Sequence, residues 1–266
     1  MAVMNINFYS TSLRLQTGLT VVAPFDLPEN EYPNKPETYK SIYLLHGYSA
    51  NHFEWIYNST LPRLAAKYDS IFILPNGGKS FYLNSAITGE NYEDFICKEL
   101  IEFCNRMLPL KAKREDITIG GLSMGGFGAM HSGLANPNTY GNIIALSSAF
   151  ITDNVAKMKP GDVDLISNYE NYRVIFGELD QLIGSHNDPK TLAAKLAKSD
   201  TIMPNIYLAC GVDDFLIEEN RDFHRHLEEI NIKHTYVEDA GVHDFVFWQK
   251  YLLKSLEWLD HLNKDR

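Results

Sequence analysis

The stretch "GGLSMGGFGAM", residues 120–130, places five glycines in eleven positions around a single serine. Glycine inside a helix or strand costs about 0.5–1 kcal/mol relative to alanine, so this density indicates a point where the backbone needs space. Gly121–Gly125 fits the pattern Gly-x-Ser-x-Gly, in which a sharp turn from strand to helix holds the serine in a strained conformation. The stretch predicts Ser123 as a nucleophile and the glycines beside it as steric clearance.

Glycine-rich loops also bind phosphate groups, which is the main alternative for this stretch. A Walker loop ends in Gly-Lys-Ser or Gly-Lys-Thr, and a dinucleotide-binding turn follows Gly-x-Gly-x-x-Gly. Neither pattern occurs in residues 120–130. An apolar run before the serine and a helical pattern after it favour the nucleophile.

Strand patterns and helix patterns alternate along the chain. Short apolar or β-branched runs lie at 41–45, 70–75, 116–121, 142–147, 205–210 and 233–239. Helical patterns lie at 61–68, 92–108, 124–135, 189–199, 217–230 and 244–262. Uniformly apolar strands that alternate with helices predict an α/β fold, with a mostly parallel central sheet and helices on both faces.

The amino-terminal region has a different pattern. The alternating runs "NINFYS" (5–10) and "LTVVAPF" (19–25) predict two antiparallel strands, with "QTG" (16–18) as the turn between them.

Farther along, residues at about 150–187 have mixed composition and no clean period, which predicts either a lid or cap over the site or an ordinary long excursion. Asp188 and Pro189 then predict an N-cap and a first helical residue.

Composition limits the partners. Lys and Arg number 24 against 34 Asp and Glu, a formal net charge of −10, which disfavours nucleic acid because phosphate backbones need clustered cations. No apolar run reaches a membrane span and no export signal precedes the first strand, so we expect a cytoplasmic protein without a membrane partner. No repeat or linker divides residues 1–266, which predicts a single domain. Nothing in the pattern identifies the interface of a possible homo-oligomer.

The three cysteines do not form a metal-binding or disulfide pattern. Cys97, Cys104 and Cys210 are odd in number and lie in apolar runs rather than at paired ligand spacings. They are predicted to be buried free thiols. We expect neither a metal site nor a cofactor.

A serine nucleophile needs a histidine base and an acid that orients the histidine. In this fold class the chain order is serine, acid, histidine, and His243 follows the last predicted strand in "EDAGVHDFVFW". Asp244 is expected to cap the final helix. For the acid, "LACGVDDFLIEEN" offers Asp213 and Asp214 in one turn, and the residue types alone leave both open.

Acyl transfer also needs backbone donors for an oxyanion. The expected sources are the amide after the nucleophile and an amide from the loop after an early strand. These predict the N–H groups of Met124 and of Tyr48, which follows His46-Gly47 in "LLHGYSANHFEW".

A series of motifs extends this match over nearly the whole chain. The motifs are "YLLHGYSANHFEW" (43–55), "ILPNGGKSFYLNS" (73–85), "YEDFICKELIEF" (92–103), "GGLSMGGFGAM" (120–130), "ACGVDDFLIEEN" (209–220) and "GVHDFVFWQKYL" (241–252). In succession they resemble the esterase D-like family of α/β-hydrolases, with bacterial tributyrin esterases the nearest in look. The family's acid aligns with the fourth residue of a Gly-x-x-Asp turn, so the resemblance implies Asp214 as the acid.

The resemblance implies metal-free hydrolysis of small-molecule carboxylic esters, with a preference for short acyl chains. Feruloyl and acetylxylan esterases and S-formylglutathione hydrolases are alternatives within the family. The last usually carry an "LSGLTC"-like stretch where this chain has "LLHGYSANH", which disfavours the thioester activity. An inactive binding protein on the same fold is the alternative from another class.

Aromatic side chains near the predicted site have two interpretations. His52, Trp55, Phe81 and Tyr82 fall in loops that should face Ser123. They are predicted either to shape an acyl pocket or to pack beneath those loops.

Overall fold

The computed structural model describes residues 1–264, so the last two residues of the predicted domain lie outside the described residues. One eight-stranded sheet runs through the described chain in the order β1-β2-β4-β3-β5-β6-β7-β8. Its strands are β1 (Ala2–Ser10), β2 (Leu15–Ala23), β3 (Lys40–Leu45), β4 (Ser70–Pro75), β5 (Ile117–Leu122), β6 (Asn142–Leu146), β7 (Asn205–Gly211) and β8 (Thr235–Asp239). Strand β2 pairs antiparallel with β1 and β4, whereas every pair from β4 to β8 is parallel. The predicted mostly parallel sheet with an antiparallel hairpin is confirmed.

The hairpin turn was predicted at the wrong residues. It lies between Ser10 and Leu15, where Arg14 takes a positive φ of 59°, and the stretch "QTG" belongs to strand β2. Gly18 pairs with Asn7 inside the ladder. A Cβ at Gly18 would overlap the His52 ring, so this glycine serves close packing within a strand rather than a turn.

The helices follow the strands as predicted, with short additions in the loops. They are α1 (Glu54–Asn58), α2 (Leu64–Lys67), α3 (Tyr92–Asp94), α4 (Leu100–Met107), α5 (Met124–Ala135), α6 (Thr152–Val155), α7 (Tyr169–Phe176), α8 (Pro189–Leu196), α9 (Ile217–Glu229) and α10 (Phe245–Lys264). A π-helical segment, Phe95–Glu99, joins α3 to α4. The sequence analysis did not predict α1, α6 or α7, which are short or lie in the irregular excursion.

The strands separate two apolar layers. Along β3, Tyr43 and Leu45 join one buried cluster, and Ile42 and Leu44 join the other, because successive strand residues point to opposite faces. Residues of α4, α5, α8 and α9 cover the first face, and residues of α2 and α10 cover the second. The prediction of helices on both faces is confirmed.

Two predicted helix caps and the predicted state of the cysteines are also present. Asp188 accepts a hydrogen bond from the Lys190 N–H at the start of α8, with Pro189 as the first helical residue. Asp244 Oδ1 accepts from the Phe247 N–H at 3.0 Å at the start of α10. All three cysteines are free and buried. Within residues 1–264, no helix combines the length and the apolar character that crossing a membrane requires.

Candidate active site

Ser123 lies on the turn between β5 and α5, with φ 55° and ψ −119°. This left-handed conformation is costly for a residue with a side chain, and the structure shows what enforces it. A Cβ at Gly121 would overlap the Gly125 backbone, and a Cβ at Gly125 would overlap the Leu45 carbonyl. The glycines therefore allow α5 to start close against β5 and β3, as the sequence predicts, and the turn holds the serine at the carboxyl edge of the sheet.

Three side chains distant in sequence meet at this edge. His243 Nε2 lies 3.1 Å from Ser123 Oγ, and His243 Nδ1 lies 3.0 and 2.9 Å from the two carboxylate oxygens of Asp214. A carboxylate only accepts, so Nδ1 carries the proton of the neutral imidazole and Nε2 is left as the acceptor for the serine hydroxyl. The arrangement can take a proton from Ser123 and hold the resulting imidazolium.

Backbone hydrogen bonds bring the acid and the histidine together. Val212 N–H donates to the Asp239 carbonyl at 2.9 Å, and Asp213 N–H donates to the Gly241 carbonyl at 3.0 Å. These bonds fasten the turn after β7 to the loop after β8. The side chain of Asp214 is fully buried, and its Oδ1 also accepts from the Leu216 N–H at 2.9 Å. Asp213 is exposed, so the turn directs only one of the two neighbouring carboxylates toward His243.

Aromatic rings fix the plane of the imidazole. The Phe215 ring lies 4.5 Å from the His243 ring, and the Trp248 ring meets it edge to face at 4.8 Å. Because the imidazole is packed between two rings and bonded through both nitrogens, it has one preferred orientation. Its side chain retains 18% of its exposure, which leaves an edge open to the cleft.

The loop after β3, residues 46–53, is held in place by hydrogen bonds to the loop after β4. Gly77 N–H donates to His46 Nε2 at 2.8 Å, so Nδ1 carries the proton and donates to the Gly47 carbonyl at 2.7 Å. Burial lowers the pKa of His46 to about 4, which keeps the ring neutral. The Tyr82 hydroxyl accepts from the His46 N–H at 2.9 Å and donates to the His46 carbonyl at 3.1 Å. Tyr48 thus follows a rigid dipeptide and lies at the edge of the cleft.

A cleft of about 280 Å³ opens beside Ser123 and His243. Its apolar walls come from Phe215, Trp248, Leu165 and Ile166. The last two belong to the predicted excursion at about 150–187, and the next residue, Ser167, bonds the Tyr48 hydroxyl at 2.9 Å. Leu165 and Ile166 of the excursion therefore form one side of the cleft.

Comparison with known proteins identifies the family. The sequence model of the family described as "Putative esterase" matches residues 17–259, which is most of the chain. The chain belongs to this esterase family. An acetyl esterase from Caldicellulosiruptor saccharolyticus is 40% identical over 265 residues, covering 99% of this chain and all of that protein.

Solved structures place the esterase in the α/β-hydrolase fold. The Staphylococcus aureus fluorophosphonate-binding serine hydrolase FphF is 28% identical with a TM-score of 0.85, over 97% of this chain and 98% of that chain. The S. aureus S-formylglutathione hydrolase FrmB is also 28% identical, with a TM-score of 0.82 and the same coverage. The predicted family and fold are confirmed, and the protein is an esterase.

The four side chains considered for an acyl pocket do not line the cleft of the esterase. Trp55, Phe81 and Tyr82 are at most 1% exposed. His52 Nδ1 contacts the Thr20 hydroxyl at 2.7 Å, against strand β2. Burial of the three larger rings favours the packing role over the acyl pocket, because helix α1 and the loop after β4 turn these side chains inward rather than toward the cleft.

Glu54, which lies in the same cleft as Ser123, was not predicted as a site residue. The Gly47 N–H donates to Glu54 Oε2 at 2.7 Å. Burial raises the pKa of Glu54, while the Gly47 N–H and the nearby His243 oppose that rise. An acidic residue in the first turn of a short helix is ordinary. Only the spacing of seven residues between Gly47 and Glu54, with α1 folding back on the loop, could have indicated this contact.

Proposed function

We propose that the protein is a serine carboxylesterase that hydrolyses short-chain acyl esters through an acyl-enzyme intermediate. The observation that carries the proposal is the hydrogen-bonded relay of Ser123, His243 and Asp214 at the carboxyl edge of the sheet. The 40% identical acetyl esterase supports the substrate class. The small volume of the cleft supports a short acyl chain, because pockets for larger ligands extend from about 300 to 1,000 Å³.

In the first half-reaction Ser123 Oγ attacks the ester carbonyl carbon as its proton passes to His243 Nε2. The carbonyl π electrons move onto oxygen, and the tetrahedral intermediate then collapses by breaking the bond to the alcohol. The departing alkoxide takes the proton from Nε2, which leaves an acyl group on Ser123. In the second half-reaction water attacks this acyl group, with Nε2 again accepting and returning a proton. Asp214 stays ionised throughout and holds the Nδ1 proton.

The negative oxygen of each intermediate is assigned to the N–H groups of Met124 and Tyr48. Met124 is the first residue of α5, so its N–H has no carbonyl partner within the helix and lies at the positive end of the helix dipole. The second N–H belongs to the loop that His46 and Tyr82 fasten. Donors held in place before the reaction stabilise the developing charge without reorganising.

Glu54 is assigned a positioning role in this site. Its carboxylate holds the Gly47 N–H, one residue before the proposed donor. Glu54→Ala is expected to lower kcat by between about tenfold and about 100-fold with little change in KM, because displaced donors weaken transition-state binding. Glu54→Gln retains an acceptor oxygen and should recover most of this loss. Initial-rate kinetics on p-nitrophenyl acetate measure both values.

The control for Glu54 is Glu229→Ala, at the exposed end of α9, which should match the wild type. Thermal unfolding of all three variants separates positioning from loss of stability. A Glu54→Gln variant as impaired as Glu54→Ala, or a Glu54→Ala loss that appears in KM alone, contradicts the positioning role.

The substrate proposal is tested by a panel of esters with one leaving group. The expected order of kcat/KM is acetyl and butyryl above octanoyl, since Phe215, Trp248 and the excursion limit the cleft. A feruloyl ester and S-formylglutathione complete the panel. The similarity to FrmB makes the thioester the second candidate function. An octanoyl ester hydrolysed fastest contradicts the short-chain preference, and faster turnover of S-formylglutathione than of any oxygen ester favours the second candidate.

A further inference from the structure

Two histidines and a glutamate converge at a second place in the molecule. Glu93 lies in α3, His131 in α5 and His186 in the segment before α8. One ring nitrogen of each histidine and one carboxylate oxygen of Glu93 all lie within 4.8 Å of one another. None of the three side chains lines the cleft beside Ser123. The mechanism above uses none of them.

His131 has an unused nitrogen in the interior. The residue is 0% exposed, and its Nε2 lies 3.0 Å from the backbone carbonyl oxygen of His186. A carbonyl oxygen only accepts, so Nε2 must carry the proton and Nδ1 carries the lone pair. Within the described residues Nδ1 has no hydrogen-bond partner.

Glu93 and His186 extend the cluster from the interior to the surface. His186 Nε2 lies 2.8 Å from Glu93 Oε2, and the two side chains retain 56% and 13% of their exposure respectively. The exposed His186 side chain therefore gives a cation a route from solvent to the Glu93 carboxylate.

A second histidine pair shows what distinguishes this cluster. His224 Nδ1 and His234 Nε2 lie 2.7 Å apart, and Glu228 reaches His224 Nε2 at 3.6 Å. There the facing nitrogens bond to each other. In the first cluster three separate chain segments converge, and the buried imidazole retains a free lone pair.

We propose that Glu93, His131 and His186 form a structural binding site for a divalent transition-metal ion, with Zn²⁺ the best match. Imidazole nitrogens with one carboxylate oxygen suit Zn²⁺, whereas Mg²⁺ and Ca²⁺ favour oxygen ligands throughout. Zinc bonds of about 2.0–2.2 Å place tetrahedral ligand atoms roughly 3.3–3.6 Å apart, so His186 Nε2 must move slightly away from Glu93 Oε2, which it now meets at 2.8 Å, and water fills the remaining position. The exposed His186 side chain is the one free to make that movement.

Metal binding would join the end of the excursion to the helix that begins beside the nucleophile. His131 lies eight residues after Ser123 on α5, and His186 lies two residues before the Asp188 cap of α8. The expected effect is on stability, because a ligand that binds only the folded state raises the unfolding temperature. None of the three side chains bonds to Ser123, His243 or Asp214, so hydrolysis should continue without the ion.

The test is calorimetric titration of Zn²⁺ into tag-free protein first treated with EDTA, paired with thermal unfolding with and without Zn²⁺. Wild type should bind one ion and unfold at a higher temperature with Zn²⁺. His186→Ala and Glu93→Gln should bind at least about tenfold more weakly and lose that rise. Both variants should hydrolyse p-nitrophenyl acetate like the wild type. Neither changes the fully buried His131, so both avoid the folding defect expected there.

His234→Ala is the matched control, since it removes a histidine from the other pair, and it should retain both zinc binding and the rise in unfolding temperature. Mg²⁺ in place of Zn²⁺ should produce neither effect. The proposal is overturned if wild type binds no stoichiometric zinc, if His186→Ala binds as tightly as wild type, if His234→Ala abolishes binding, or if Mg²⁺ binds equally well.

Discussion

Ser123→Ala is expected to remove essentially all ester hydrolysis, with kcat on p-nitrophenyl acetate falling on the order of 10⁴–10⁶-fold. The hydroxyl 3.1 Å from His243 Nε2 is the proposed nucleophile, and alanine leaves the base without a group to activate. The residual rate comes from water and the remaining oxyanion donors. Initial rates measure the loss, and labelling by a fluorophosphonate probe reports the same serine without requiring a substrate.

The control is Ser199→Ala, at an exposed position beyond α8, which should retain both activity and labelling. Labelling that persists in Ser123→Ala would place the nucleophile elsewhere. A wild-type protein that neither hydrolyses the panel of esters nor reacts with the probe would support the inactive binding protein on the same fold. The two assays together therefore separate a wrong residue from a wrong function.

Asp214→Asn is expected to lower kcat on the order of 10³–10⁴-fold, whereas Asp213→Asn changes it by less than about threefold. The Asp214 carboxylate is fully buried and accepts a hydrogen bond from the His243 Nδ1–H. An asparagine of the same shape can turn its amide N–H toward the ring, which favours the tautomer that carries its proton on Nε2 and cannot accept from Ser123. Asp213 is exposed and has no part in the relay.

Kinetics of the two variants on p-nitrophenyl acetate decide this prediction, and each serves as the control for its neighbour because the substitution is the same. Thermal unfolding shows whether the buried amide alters the fold. A larger loss in Asp213→Asn than in Asp214→Asn would mean that the turn after β7 directs the other carboxylate to His243. Equal, small losses would remove the orienting acid from the mechanism.

The sheet and the nucleophile turn were predictable from the sequence because their signals are local. Uniformly apolar runs mark buried parallel strands, and the glycines around Ser123 mark a turn that has no room for side chains. His243 was predictable because it alone follows the last strand in a short loop. The choice of Asp214 was not available from residue types, since Asp213 lies in the same turn and only the backbone bonds to Asp239 and Gly241 decide which carboxylate points inward.

The remaining errors concern tertiary contacts. "QTG" has the composition of a turn. Gly18 is needed instead because the His52 ring packs against β2 and leaves no room for a side chain, a contact between residues 34 positions apart. The aromatic residues after β4 could face either the cleft or the core. Phe81 packs against Tyr172 and Phe176 of the excursion. The Tyr82 hydroxyl bonds the His46 backbone. Glu54 carried no signal of its own because its partner is a backbone N–H, which every residue but proline possesses.

The left-handed backbone of Ser123 limits how far the stability of this protein can be raised. A residue with a side chain in such a conformation costs about 1–3 kcal/mol, and glycine would relieve much of that cost. Glycine at this position would therefore raise the free energy of unfolding only by removing the hydroxyl that the chemistry needs. Catalytic activity and stability therefore oppose each other at this turn. Substitutions that stabilise the fold without loss of activity must be sought in the two apolar layers that the sheet separates.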